Sequence, residues 1–222
     1  FFDDNSQDNS LEVINKYKDI KIIQNKIQTK FGSFNQMNAF KKGIEVSTGD
    51  IIFLLDSDDF FYEGKIEKII KLFLDDEKKM IIFDFPTIVK NGNTFPQKKI
   101  KNLPWTYWGY IHPTSCISIR KTFTSRVFES SLNENFPNIW FDLRVLFYSK
   151  YIHHYDVIDE TLTFYRHSNE NISSKFKKFT KPWWERRNEA HDYFSEFMKN
   201  NNLKFKKNLD YYVTKIVNKF IK

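Results

Sequence analysis

Three carboxylates stand within four residues at Asp56-Ser57-Asp58-Asp59, directly after the apolar run Ile51-Ile52-Phe53-Leu54-Leu55. Carboxylates this close repel one another, and their clustering costs stability unless a cation offsets it. Oxygen-only donors suit Mg²⁺ or Mn²⁺, ions that commonly share their coordination with substrate phosphates. One reading is therefore a metal–diphosphate site. The other is a polar loop capping the next helix, where acids favour the N-terminal dipole. Phe60 and Phe61 occupy places where an EF-hand loop needs a ligand and a glycine, which argues against that calcium motif. A second polar cluster, Asp3-Asp4-Asn5-Ser6-Gln7-Asp8-Asn9-Ser10, offers acceptors for a base or ribose. Asn9 or Ser10 would equally serve as a helix cap.

These residues need a scaffold, and the hydrophobic pattern supplies one. Ile51–Leu55 reads as a strand buried on both faces, as in a parallel sheet, where ligands bind beyond the carboxyl ends of strands. Ile20–Gln24, Met80–Phe85 and Ile117–Ile119 read as further strands. Helical spacing follows the second polar cluster (Leu11, Ile14, Tyr17). It recurs at Met37, Phe40 and Ile44, and at Ile66, Ile69, Ile70 and Phe73. Thr29–Asn35 reads as a loop, 138–150 as a helix carrying Asp142, and 151–166 as strand, turn, strand. Alternating strands and helices make an α/β domain. The segment 91–114 reads as a long connection whose aromatics, Trp105, Tyr107, Trp108 and Tyr110, either stack on a sugar ring or pack in the core. Two amphipathic helices, near 182–199 and 208–221, close the chain.

Composition bounds the function. In 222 residues, 41% hydrophobic and 18% aromatic content is enough for a sizeable core and argues against disorder. No run approaches the ~18 apolar residues a membrane helix needs. The single cysteine, Cys116, forms no internal disulfide and reads as a buried hydrophobe; a reducing compartment, the cytoplasm, is the default. The net charge of +7 is uneven: residues 1–170 balance to −1 and residues 171–222 to +8. Such a basic quarter suits an anionic membrane face, nucleic acid or an acidic substrate, or is a solvated surface. The opening Phe1-Phe2 before paired acids reads as the last half of a buried strand, so the sequence is expected to be a fragment whose first strand is missing and whose sheet edge is exposed.

Taken together, the motifs resemble the family-2 glycosyltransferases of GT-A fold. Asp3-Asp4-Asn5-Ser6-x-Asp8 is similar to that family's Asp-Asp-Gly-Ser-x-Asp, and Gly49-Asp50 through Asp56-Ser57-Asp58-Asp59 to its hydrophobic run ending in DxD. Trp140-Phe141-Asp142 sits where the family places a catalytic acid. Tyr165-Arg166-His167-x-x-x-Asn171-Ile172-Ser173 resembles a motif near the domain's end. The resemblance covers about residues 1–175, leaving 176–222 as a basic helical tail. It departs at Asn5 for the usual Gly, at Lys41 for a frequent Asn, and at Phe141 where Glu is common.

The resemblance implies an α/β mixed sheet flanked by helices and transfer of a sugar, with inversion, from a nucleoside-diphosphate donor to a glycan or glycolipid acceptor. Asp4, with Asp3, would hold the base; Asp58, helped by Asp56, would hold Mn²⁺ or Mg²⁺; Asp142 would be the general base. His167 is a further candidate metal or diphosphate contact, and Lys30 a phosphate contact on charge grounds alone. The setting implied is cell-surface polysaccharide or glycolipid assembly at the inner membrane face, with the tail touching anionic lipid and no nucleic-acid partner. Two rivals remain: a haloacid-dehalogenase-like phosphatase using Asp56 and Asp58, and a non-catalytic basic module for membrane or RNA.

Overall fold

The computed structural model describes residues 1–25, 28–97, 106–131, 135–167 and 172–221. Trp105 and Asn171, singled out above, lie outside them. In chain order the elements are β1 (Phe2–Asp3), α1 (Ser10–Ile14), β2 (Ile23–Gln24), α2 (Gly32–Val46), β3 (Ile51–Phe53), β4 (Phe60–Phe61), α3 (Lys65–Asp75), β5 (Ile81–Lys90), β6 (Asn93–Pro96), β7 (Ile117–Arg120), α4 (Lys121–Ser131), α5 (Phe141–Tyr151), β8 (Asp156–Arg166), α6 (Lys181–Asn200) and α7 (Leu209–Phe220). The main sheet is mixed, in the order β3-β7-β5-β8-β4, with β6 beside the far end of β5; β1 and β2 form a separate parallel pair.

β5 is the spine because Ile81, Ile82, Phe83 and Phe85 are apolar and buried in succession. It pairs antiparallel with β7 and parallel with β8. The strand runs beyond Phe85 because Pro86 falls at a register irregularity, where its missing N–H costs little. β8 is one strand rather than strand, turn, strand. Phe83 pairs with Val157 and Phe85 with Thr161, so the residues that read as a turn are taken up as a bulge.

The run at Ile51–Leu55 is not a parallel strand. β3 pairs antiparallel with β7 at the sheet edge. Its continuous hydrophobicity has another cause. Ile52 packs on the large core, whereas Ile51 and Phe53 pack on a smaller cluster of Ile69, Phe73, Ile82 and Leu162. Both faces are covered, so both must be apolar. Leu55, 45% exposed, already leaves the sheet.

Several helices begin earlier or lie elsewhere than periodicity indicated. α2 starts at Gly32, inside the expected loop, because Asn35 ties back to Thr29: Asn35 Oδ1 accepts from Thr29 N at 3.0 Å, and Asn35 Nδ2 donates to Thr29 O at 2.9 Å. α4 had no counterpart in the sequence reading; its Phe123 and Val127 are buried. α5 is buried along nearly its whole length and lies at the centre of the large core. α6 belongs to that same core through Ala190, Tyr193, Phe194, Phe197 and Met198. α7 packs on α6 through Arg187–Asp210 and Lys215–Asp192 ion pairs. No described helix is long and apolar enough to cross a membrane.

A buried ion pair sits behind the acidic loop. Lys65 Nζ donates to Asp84 Oδ1 at 2.8 Å, Thr163 Oγ1 at 2.7 Å and Ser115 O at 2.8 Å, and neither Lys65 nor Asp84 reaches solvent. Removing one partner of such a pair strands the other's charge, at about 3–5 kcal/mol. Lys65→Met is accordingly expected to lose that much unfolding free energy, read as a lower melting temperature in thermal unfolding, and Lys65→Met/Asp84→Leu to recover most of the loss. Equal melting of the single variant and wild type would show that the pair contributes nothing.

Candidate active site

The site is built where four segments end. β1 delivers Asp3 and Asp4. Asp3 is buried, and its Oδ1 accepts from Ser6 N at 3.2 Å, so it closes the turn. Asn5 holds that turn at φ 63°, the left-handed region that Asn tolerates better than other non-glycine residues. This explains how Asn stands where the family pattern has Gly. Asp4 lines the cavity and accepts from Asn25 Nδ2 at 2.7 Å.

β3 delivers the acidic loop. The loop does not cap the next helix: β4 intervenes, and α3 is capped by Gly64, at φ 79° with no side-chain cap bond. Asp56 N donates to Ser115 Oγ at 2.9 Å, and Ser115 is the residue whose carbonyl holds Lys65. The loop thus rests on the buried ion pair. Asp56 Oδ1 accepts from Gln36 Nε2 of α2 at 2.7 Å. Burial pushes the Asp56 carboxyl up to about 7; the Gln36 bond opposes this, and Asp59 and Asp58 add to it. Asp59 turns away, its Oδ1 accepting from Arg166 N at 2.8 Å, and burial raises it to about 6. The Tyr165-Arg166 segment therefore anchors the acidic loop through its backbone.

α5 delivers Asp142 in its first turn, where the helix dipole favours an anion. Its Oδ1 accepts from Leu143 N at 2.8 Å. Burial still pushes the carboxyl up to about 7, against the pull of Arg186. Arg186 comes from α6. Its guanidinium lies 4.0 Å from the Trp140 ring centre and 4.2 Å from that of Phe176, and Nε donates to Asn138 O at 2.8 Å.

Asp4, Asp56, Asp58 and Asp142 thus line one cavity of about 1070 Å³, together with Trp140 and Arg186. Asp3, Lys30 and His167 do not line it. Lys30 sits over the Phe31 ring at 5.2 Å, and His167 is exposed, with its amide bonded to Val89 O at 2.9 Å. Of the expected aromatic segment, Tyr107 stacks on Phe194 in the core at 4.5 Å, and Trp108 is buried at the cavity edge. Tyr110 faces the cavity. Sequence reading missed Gln36, Ser115 and Arg186, and quoted Trp140 as part of the Asp142 motif without giving it a role.

Of the acidic loop's carboxylates, Asp56 and Asp58 reach the cavity, with Ser57 between them, and among the described residues no group of three His, Cys, Asp or Glu is arranged to hold a metal. Two mutually repelling carboxylates on a cavity wall suit an ion whose coordination is completed by waters and diphosphate oxygens.

Residues 1–136 match the family described as Glycosyl transferase family 2. The chain belongs to that family. An uncharacterized glycosyltransferase of Nostoc sp. (strain PCC 7120) is 24% identical over 177 residues, covering 74% of this chain and 53% of the relative. Among solved structures, S. aureus TarS 1–349 in complex with UDP-GlcNAc superposes at a TM-score of 0.61 with 13% identity, over 98% of this chain and 60% of that one. TarS 1–349 alone gives 0.55 at 16% identity, over 98% and 68%. The fold of this family-2 glycosyltransferase is therefore that of TarS, and the chain spans little more than half the length of the first relatives it matches. Family membership sets aside the phosphatase reading of Asp56 and Asp58. Asp142 lies beyond the matched residues, and its place rests on the cavity geometry.

Proposed function

We propose that this chain transfers a sugar, with inversion, from a nucleoside-diphosphate donor to an acceptor hydroxyl on a glycan or glycolipid of the cell surface, using a divalent ion. The observation that carries this is the convergence of Asp4, Asp56 and Asp58 with Asp142 on one cavity large enough for a nucleotide sugar. Asp4 would accept from the base. Asp56 and Asp58 would hold Mn²⁺ or Mg²⁺, and the ion, when bound, would offset charge on the departing diphosphate. Asp142 would take the proton of the attacking hydroxyl as the new bond forms. A single displacement needs no covalent nucleophile, in keeping with a burial-raised thiol at Cys116. TarS was crystallised with UDP-GlcNAc, and a uridine diphosphate donor is the first to test.

Thermal shifts with UDP, GDP, dTDP and CMP, each with and without Mn²⁺, test the donor side. A ligand at about 100 times its dissociation constant adds roughly 2.7 kcal/mol of stability. A shift with UDP that needs Mn²⁺ is expected. A protein that melts cooperatively yet shifts with none of the four would overturn the proposal.

A further inference from the structure

The segment leading into α5 is gripped from α6. Glu189 Oε1 accepts from Asn138 N, and Glu189 Oε2 from Asn138 Nδ2, each at 2.8 Å. Arg186 stands one turn earlier on α6, on the same face. Its Nε donates to Asn138 O at 2.8 Å, and its guanidinium lies 4.0 Å from the Trp140 ring centre. Trp140 is the residue that opens α5, and Asp142 follows in the first turn. Three hydrogen bonds and one ring contact therefore fix the chain just ahead of Asp142.

Arg186 is itself held. Phe176 meets it at 4.2 Å, and Nη2 donates to Ser33 Oγ of α2 at 3.2 Å. The acceptors of these hydrogen bonds are uncharged, whereas neighbouring Arg187 gives Nε and Nη2 to the Asp210 carboxylate. Arg186 and Asp142 line the same cavity. Arg186 draws the Asp142 carboxyl down against burial, Asp56 pushes it up, and Tyr110 in turn feels the Asp142 charge. A guanidinium pinned by two rings and two hydrogen bonds has little freedom left to follow a substrate. A lysine would supply the charge without the planar fork that makes these contacts.

We infer that Arg186 is a positioning residue for Asp142: it clamps residues 138–140, which fix where Asp142 enters the cavity, and it places a fixed cation near that carboxyl. The inference rests on the reading of Asp142 as the base. It makes α6 a working part of the site, although that helix lies beyond the family-matched residues.

Release of UDP from UDP-GlcNAc with Mn²⁺, measured for Asp142→Asn, Arg186→Gln and the double variant, decides it. Arg186→Gln is expected to lower turnover about 10- to 10²-fold, the scale of a misplaced reacting group. The donor KM and the Mn²⁺-dependent UDP thermal shift should stay as in wild type. The double variant should be no slower than Asp142→Asn, because a residue acting through another adds nothing once that one is gone. The rise of rate with pH should move to higher pH in Arg186→Gln, since a carboxyl without its cation ionises later. Arg186→Lys keeps the stem and the charge, so it should restore the wild-type pH midpoint but not the full rate. Turnover of Arg186→Gln within twofold of wild type, while Asp142→Asn is impaired, would overturn the inference. So would multiplying losses in the double variant, or loss of the UDP shift in Arg186→Gln, either of which would put Arg186 on the substrate. Full turnover in Asp142→Asn would instead remove the reading of Asp142 itself.

Discussion

Asp142→Asn is expected to lower turnover by about 10²- to 10⁴-fold, the usual contribution of a positioned general base. Nucleotide binding should survive, because the donor-side carboxylates are untouched. With the acceptor unidentified, turnover is read as release of nucleoside diphosphate from the donor to water, which needs the same proton removed. The wild-type rate should rise with pH and level off above about 7, because the carboxyl, raised to about 7 by burial, must be ionised to act. Stability moves the other way. The unfolded chain ionises Asp142 near its ordinary 3.8, whereas the folded protein keeps the proton until about 7. Its stabilising contribution is therefore complete below 3.8 and is lost as pH rises through about 7. Asparagine carries no such loss, so at pH 8 the variant should melt no lower than wild type. A rate unchanged within twofold would remove Asp142 from the chemistry. A rate fall accompanied by a lower melting temperature would point to damage rather than lost catalysis.

Part of this site was legible because its signals are local. Asp56-Ser57-Asp58-Asp59 follows its strand at once, and short-range repulsion makes such a cluster conspicuous in any sequence. Asp4 stands out in a polar cluster at a strand end, whereas Asp142 is singled out by the family resemblance, which places a catalytic acid at that point. What pattern does not carry is orientation. Adjacent residues at a strand end point opposite ways, so Asp3 goes to the turn and Asp4 to the cavity, while the letters are the same. Lys30 and His167 have suitable chemistry but face solvent.

Long-range contacts were illegible for the same reason. Arg186 reaches the Asp142 side of the cavity from α6, across a chain separation that no spacing rule bridges. Its neighbourhood, Trp183-Trp184-Glu185-Arg186-Arg187, read only as an aromatic and basic tail. The strand Ile51–Phe53 shows the converse limit. Apolar on both faces is compatible with a parallel interior strand and with an antiparallel edge strand under two clusters, and only pairing distinguishes them.

Asp58→Asn is the sharper test of the donor half. Asp58 lines the cavity. Asparagine keeps its shape and removes one negative charge from a crowded loop, so stability should stay within about 0.5 kcal/mol of wild type, as for most surface substitutions. An ion that offsets charge on a leaving diphosphate supplies several kcal/mol of transition-state stabilisation, and each 1.36 kcal/mol is tenfold in rate. Turnover with Mn²⁺ should therefore fall by about 10³-fold or more, and the Mn²⁺-dependent part of the nucleotide thermal shift should vanish. The metal-independent part, held by Asp4 and the cavity walls, should remain. That split separates the metal role from a general loss of binding: loss of both parts would mean that Asp58 shapes the nucleotide pocket itself. Retention of both, with turnover intact, would mean that no ion is held there. The paired repulsion of Asp56 and Asp58 would then need another explanation, and the Gln36 bond to Asp56 is the contact to examine for it.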